Sequence, residues 1–463
     1  MLSKLISCVL FSILLTSILI VANTNPVKSQ STITVPDDYP TIQEAVDAAI
    51  PGDTVRVRSG IYREEVRINE SVSLIGENPE TTIIQGYVIT TPPWENSVDS
   101  VRIEGFTVGQ IPPDIALFDI GPVWIVGNNG ILSNNVLLNA GAHNIDNDVP
   151  SVYICGSNWT IVNNTLLDVQ LGDGDTGILL DGSNNTLAFN QIGSEETPAS
   201  AWNIFCWHQG NYIHHNNVYL SQSIWARKPY GIGTSKWDDG YPSGGNYWGS
   251  STTPDLYSGP YQNLTGGDGI CDMPFITRLN GNNTDRFPLL NPWTQQSTDY
   301  LDVTRKDLIY TVELTTNVTV ANLKVTYGSL RLDLFGLSGD SGFVRITQPT
   351  GLNSSNIKVF LNNTRIAFPS YNPPASISYN DTHYFTYFAV IFQSTYNMSV
   401  MFPIAGDANA DGSVDIFDCV IVALAFGSKL GDSNWNPVAD INNDNIVDIF
   451  DIVVVALHFG ETG

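Results

Sequence analysis

The chain has 463 residues, only 14% of them charged, and its 46 acids against 20 bases leave a formal net charge of −26. That balance excludes nucleic acid and anionic membrane surfaces as partners. The length calls for more than one domain, at roughly one per 150 residues.

Residues 1–30 read as a secretion signal. Lys4 precedes an apolar run from Leu5 to Ala22, and a polar stretch follows from Asn23. The run is long for a cleaved signal and lacks a small-x-small cleavage site. A retained N-terminal membrane anchor is therefore the alternative. Cys155, Cys206, Cys271 and Cys419 are widely spaced and form no metal motif. A Cys155–Cys206 bridge would suit an oxidising compartment. Asn-x-Ser/Thr sites at Asn69, Asn158, Asn263, Asn282, Asn317, Asn353, Asn362, Asn380 and Asn397 fit a secreted glycoprotein.

Residues 31–296 read as a coil of short strands. Apolar residues at Ile42, Ala45, Val46, Ala49 and Ile50 make one helical face over 41–50, with Thr41 as N-cap and Glu44 completing a capping box. Short strands follow at 54–57, 65–68, 72–75, 82–84 and 100–108. A repeat then emerges. Ile131-Leu-Ser-Asn134-Asn-Val136 matches Ile161-Val-Asn-Asn164-Thr-Leu166, Leu187-Ala-Phe-Asn190-Gln-Ile192 and Ile213-His-His-Asn216-Asn-Val218, at intervals of 30, 26 and 26 residues. An Asn precedes each copy, at Asn128, Asn158, Asn184 and Asn211. No copy can bury its own apolar face, so the copies must stack. Asn side chains at the turns then bond along the stack, satisfying backbone groups that the bends leave unpaired. The opening Tyr39-Pro-Thr-Ile-Gln-Glu-Ala-Val46, the Gly52-Asp-Thr-Val-Arg-Val57 segment and the Asn turns resemble the right-handed parallel β-helix of the pectin-lyase-like superfamily. Gly245-Asn-Tyr-Trp248, Asp268-Gly-Ile-Cys-Asp272 and Asp285-Arg-Phe-Pro288 are most similar to its NosD-type group. The resemblance covers Thr32 to Trp293 and implies the fold more than any activity.

Residues 297–403 change to longer alternating strands, at 308–314, 318–327, 330–335, 343–346, 357–360 and 384–392, which read as an antiparallel β-sandwich. It is similar to the repeated sandwiches of archaeal surface proteins and reads as a spacer or adhesive module.

Residues 404–463 hold two copies of an acidic loop, each running into an apolar helix. Loop one carries Asp407, Asn409, Asp411, Ser413, Asp415 and Asp418. Loop two carries Asp440, Asn442, Asp444, Ile446, Asp448 and Asp451. Oxygens at loop positions 1, 3, 5, 9 and 12, with a backbone carbonyl at 7, are what Ca²⁺ requires. The sixth position of loop two is Asn445 where loop one has Gly412, and Asn is the best non-Gly residue for a left-handed turn. The pair resembles type I dockerin modules, which also place Asp at position 12. The resemblance implies two Ca²⁺ ions and a cohesin-bearing partner read by Ile416, Phe417, Ile449 and Phe450. Many dockerins carry small hydroxyl residues at those four positions, so the apolar pairs leave the partner type open, and packing within the chain is the alternative.

The coil offers further candidates. Asp146, Asp148, Asp168, Asp173, Asp175 and Asp181 fall in turns of successive coils and could hold another Ca²⁺ or bind sugar hydroxyls; a solvated acidic face is the simpler reading. For a β-helix polysaccharide lyase or glycoside hydrolase, the candidates are Asp173, Asp175 and Asp181 with Arg227 as base, near Lys228 and Lys236. Trp202, Trp207, Trp225, Tyr230 and Trp237 beside Asp238 and Asp239 suit carbohydrate, or pack the end of the coil. The NosD-type resemblance implies metal handling, such as copper, through His208, His214 and His215. Adjacent strand residues point to opposite faces, so these are expected as surface imidazoles. Asp255 with Gly267-Asp268-Gly-Ile-Cys-Asp272 is either a partial Ca²⁺ loop or a tight turn. Taken together, the chain is expected to be a secreted or cell-surface modular protein. Its coil would contact polysaccharide and its C-terminal module would attach it to a partner.

Overall fold

The computed structural model describes residues 30–462, apart from 91–96, 111–119, 139–149, 168–175, 196–201, 220–229, 232–233, 250–252, 277–282, 306–307, 327, 353–356, 367, 369–373, 403, 410, 430–431, 437 and 443. The N-terminal apolar run, Asp146, Asp148, Asp168, Asp173, Asp175, Trp225, Arg227 and Lys228 lie outside the described residues. No helix among those described is long and apolar enough to cross a membrane.

Three parallel sheets build the coil. Sheet one has eight strands, from Thr32–Val35 to Tyr212–His214. Sheet two has seven, from Gly60–Tyr62 to Asn217–Val218, and sheet three has seven, from Val66–Ile68 to Tyr230–Gly231. The chain passes through the three sheets in turn and returns one coil further on, which makes a parallel β-helix. Strand residues alternate. On sheet three Val123, Ile125, Val152, Ile154, Ile178 and Ile204 point inward and are fully buried. A strand of three to five residues buries too little alone, and stacking joins the inward faces into one continuous core.

Two columns of left-handed residues turn the corners of the coil. One is Gly105, Asn134, Asn163, Phe189 and His215, and the other is Ser100, Asn129, Asn158, Asn184 and Gly210. Asn tolerates this conformation better than any other side chain. After each residue of the first column stands a buried residue that, from Asn135 onward, belongs to a ladder. Asn135 N and Nδ2 donate to Asn164 Oδ1, Asn164 to Asn190, Asn190 to Asn216, and Asn216 to Asn246. Asn246 N ends the ladder on the Asp285 carboxylate at 2.7 Å. The repeat alignment is thus one residue out in its first copy. Leu132 pairs with Ile161, Asn135 rather than Asn134 faces Asn164, and that coil is 29 residues long. Likewise Asn129 and Gly210, not Asn128 and Asn211, take the second corner.

Helix α1 (Ile42–Ala48) packs on the first strands of the coil. Thr41 Oγ1 accepts Glu44 N at 3.2 Å. The other half of the expected capping box differs: the Glu64 carboxylate, from the coil, accepts Ile42 N and Gln43 N. Strands Gly60–Tyr62 and Val88–Thr90 were not expected, and the expected strand at 100–108 is two strands broken at Gly105. Cys155 and Cys206 do not form a bridge and are both free thiols. Cys206 points into the core, Cys155 is half-buried on the outside, and strand Thr176–Leu180 lies between their strands.

Two five-stranded antiparallel sheets over Ser297–Met401 follow, with a separate apolar core. Their strands include four unexpected ones, Ser297–Arg305, Thr364–Arg365, Ala375–Tyr379 and Tyr396–Met401. A third, small core gathers helices α2 (Ile416–Ala425) and α3 (Ile449–His458).

Candidate metal loops and a ligand-facing sheet

The two C-terminal loops match almost bond for bond. In loop one, Asp407 accepts Asp411 N and Gly412 N, Asn409 accepts Asp411 N, and Asp411 accepts Ser413 N. Asp418 accepts Ala408 N, Asn409 N and Asp415 N. In loop two, Asp440, Asn442, Asp444 and Asp451 take the same amides, each 33 residues on. Asn445 stands at φ 69° where Gly412 stands at φ 93°. Asp415 and Asp448 cap α2 and α3, and Asp418 and Asp451 complete capping boxes. Positions 9 and 12 thus tie each loop to its helix. These bonds fix the acidic side chains on the main chain of each loop, and Ile446 offers only its carbonyl.

The loops concentrate buried negative charge. Asp418, Asp440 and Asp451 are fully buried and Asp407 is nearly so. Burial pushes the Asp407 carboxyl up to about 6 and raises Asp440 as well. Four carboxylates crowd each loop, and backbone amides alone do not neutralise them. A hard divalent cation with oxygen ligands fits this donor set.

Loop two differs from loop one in its seat. Lys358 Nζ, from sandwich strand Lys358–Leu361, is buried and donates to Val438 O at 3.1 Å and Asp440 O at 3.4 Å. Arg365 Nη1 lies 3.6 Å from Asp440 Oδ2. Burial lowers Lys358 to about 8, with the carboxylates of both loops pulling the other way.

The helices expose their apolar sides. Ile416, Phe417, Val420 and Leu424 on α2 are 46–78% exposed, and Ile449, Phe450, Val453 and Leu457 on α3 are 43–75% exposed. The first, fifth and ninth residues of each helix form one stripe. All four residues expected to meet a partner therefore face solvent, and packing within the described chain does not cover them.

On the coil, the outward face of sheet three carries a register-aligned column of Trp124, Tyr153, Leu179 and Phe205. The Trp124 and Tyr153 rings are 4.2 Å apart. Trp124 Nε1 is buried without a hydrogen-bond partner among the described residues. At the C-terminal edge of this sheet, Asp181 accepts Tyr153 Oη–H at 2.9 Å and meets His208 Nε2 at 3.1 Å. Trp207 beside them is 47% exposed and packs on Phe205. Asp168, Asp173, Asp175 and Arg227 lie in segments 168–175 and 220–229, outside the described residues.

Other candidates prove structural. Trp237 is fully buried with Nε1 on Asn283. Asp238 is buried and clasps Arg286 with both oxygens. Asp255, Asp268 and Asp272 turn onto main-chain amides, as a tight turn requires. His214 and His215 are not surface imidazoles: they are 8% and 6% exposed. His215 occupies a left-handed corner at φ 55°, which breaks strand alternation and turns both rings to one side. Their Nδ1 atoms stand 2.7 Å apart.

No protein-family model matches the chain, and no curated protein matches it. Among solved structures, a pectin methylesterase mutant in complex with a hexasaccharide matches at 14% identity and a TM-score of 0.22, over 48% of this chain and 75% of that one. The Dettilon tailspike protein matches at 8% identity and a TM-score of 0.22, over 80% and 93%. Both overlays are loose, and the β-helix assignment rests on the strand pairing itself.

Proposed function

We propose that this is a secreted or cell-surface modular protein. Its β-helix, of the NosD-type group that the sequence resembles, contacts an extracellular polysaccharide along the outward face of sheet three. Its C-terminal module is a dockerin that binds two Ca²⁺ ions and attaches the chain to a cohesin-type partner. The observation that carries the reading is the duplication: two loops with the same bonds, each leading into a helix with the same exposed apolar stripe. A monomeric surface has little reason to keep such a patch twice over. On the coil, a column of outward aromatic side chains and a neighbouring carboxylate are the parts a sugar-binding face uses. Titration calorimetry against a panel of cohesins in Ca²⁺ tests the attachment. Binding should vanish with chelator and weaken in Phe417→Ala combined with Phe450→Ala. Absence of binding across the panel would refute the docking half.

A second reading, a polysaccharide lyase or hydrolase, is favoured by the Asp181–His208–Tyr153 constellation beside the aromatic column. Asp173, Asp175 and Arg227 remain the candidates that the sequence offers for its chemistry. Incubating the chain from Ser31 onward with acidic and neutral polysaccharides decides between the readings. Unsaturated-uronide absorbance identifies a lyase and new reducing ends alone a hydrolase. Retention on a polysaccharide without turnover, lost in Trp124→Ala, identifies a binding protein.

A further inference from the structure

We propose that His214, His215 and Asp239 form a site for one divalent transition-metal ion of the Zn²⁺ class, at the closing end of the coil. Among the described residues, this is the one group of three His, Cys, Asp or Glu side chains whose ligand atoms all lie within 4.8 Å of one another.

The surrounding bonds orient the three groups. His215 Nε2 donates to Ser243 O at 2.9 Å. That bond fixes its tautomer and leaves Nδ1 as a lone pair. His214 Nδ1 faces this lone pair at 2.7 Å, so a single proton now sits between the two rings. A metal ion takes the place of that proton, and the proton moves to His214 Nε2. Zn–N bonds of about 2.0–2.1 Å at a tetrahedral angle put the nitrogens roughly 3.3 Å apart, so the two rings part by about 0.6 Å when the ion binds. Asp239 is held from both sides, with Tyr212 Oη–H on Oδ1 and Ser243 Oγ–H on Oδ2. Imidazoles whose far nitrogen is tied to a carbonyl, and carboxylates tied by hydroxyls, are the arrangement that supports metal ligands.

The frame around the site is rigid and dry on one side. Phe189, from the same left-handed column, stacks on His215 with ring centroids 5.4 Å apart and 5° between planes. Tyr212 lies 4.4 Å from His214. Asp239 is exposed, which leaves an open side for the ion and a water or second ligand. Two nitrogens and one carboxylate oxygen with an open position suit Zn²⁺ and its borderline neighbours rather than Ca²⁺. The cations near the site are Lys236, over the Tyr212 ring at 5.3 Å, and Arg345, whose charge acts against a proton on His215. Asp238 and Asp239 offset them.

The test is a calorimetric titration of the full chain with ZnCl₂ in excess Ca²⁺, which occupies the oxygen loops. One Zn²⁺ should bind per chain beyond the Ca²⁺ background, and Co²⁺ in its place should give ligand-field absorption. Asp239→Asn, a substitution of an exposed residue, should weaken Zn²⁺ by at least about tenfold. His214→Gln should abolish binding, while His383→Gln, on sandwich strand His383–Ile391, leaves it unchanged. Thermal unfolding of each variant checks that it is folded. No Zn²⁺ binding by the native chain, or undiminished binding in both Asp239→Asn and His214→Gln, would overturn the site.

Discussion

Replacing Asn164 by Ala tests the ladder that holds the coil together. The Asn164 side chain is almost fully buried. Its Oδ1 accepts Asn135 N at 3.1 Å and Asn135 Nδ2 at 3.0 Å. Its Nδ2 donates to Leu132 O at 2.8 Å, Val162 O at 3.1 Å and Asn190 Oδ1 at 3.0 Å. Asn135 Nδ2 keeps a second partner at Ile103 O, and Asn190 Oδ1 keeps Asn164 N. The Asn135 main-chain N–H is the group stranded by the change. One buried unsatisfied donor costs about 1–3 kcal/mol, and each remaining net bond adds about 0.5–1.5 kcal/mol. At least about 3 kcal/mol follows for Asn164→Ala, from one stranded donor and four further lost bonds. Its neighbour Asn163 is the built-in control, being exposed and at φ 56°. Gly adopts that conformation freely, so Asn163→Gly should change stability by less than about 1 kcal/mol. Urea unfolding followed by the fluorescence of buried Trp159, Trp237 and Trp248 measures both. A loss below about 1 kcal/mol for Asn164→Ala, or equal losses for the two variants, would refute the ladder as the source of stability.

Removing Ca²⁺ with chelator should abolish the helical signal of α2 and α3 in far-ultraviolet circular dichroism while the β signal of the coil persists, because the loops and helix caps share residues. Arg365→Gln should tighten cation binding at loop two by roughly fivefold, about 1 kcal/mol for one partly screened charge, and leave loop one unchanged in a two-site titration. Stability should depend on pH through the buried carboxyls at the closing end of the coil. Burial pushes Asp285 and Asp255 up to about 7 and Asp268 up to about 6, against unfolded values near 4. The folded chain therefore holds more protons than the unfolded chain between about pH 4 and pH 7. Stability should fall as pH rises through that window and level off above it, by about 1 kcal/mol or more per group. Melting temperatures at pH 5 and pH 8 check the sign, and Asp285→Asn should flatten part of the slope.

The architecture of the coil was legible because its physics is local and repeated. Alternation in three-residue strands and an Asn at each bend recur in every copy from Ile131 to Val218. The one-residue slip at Asn134 shows the limit. Two adjacent Asn residues look alike in sequence, but one carries the left-handed corner and the other the ladder. The same column explains the error at His214 and His215. Strand alternation predicts opposed side chains, and only the left-handed corner at His215 brings the rings together. Phe189 gives the sequence clue, since it fills the corresponding place in the preceding copy, ahead of Asn190. Strand Ser297–Arg305 was missed because Thr, Asp and Arg alternate there with few strongly apolar residues. Asp238 and Trp237 looked like sugar contacts, but their partners Arg286 and Asn283 lie more than 40 residues away in sequence.

The unequal seating of the two loops bears on how the proposed dockerin presents itself. The copies match in their ligand bonds, so sequence alone suggests two interchangeable halves. Lys358 and Arg365 break that symmetry by holding only loop two against the sandwich. The helix surfaces stay equivalent nonetheless: Phe417 and Phe450 are each 63% exposed, and Leu424 and Leu457 are 78% and 75% exposed. The seat therefore engages the loop side of the module and leaves both apolar stripes outward. A partner that reads α2 and one that reads α3 would each find its surface open without displacing the sandwich. A partner whose binding requires loop two itself would have to compete with buried Lys358 and partly buried Arg365. Loss of binding to only one face after Lys358→Met would contradict this arrangement, because that side chain meets neither stripe.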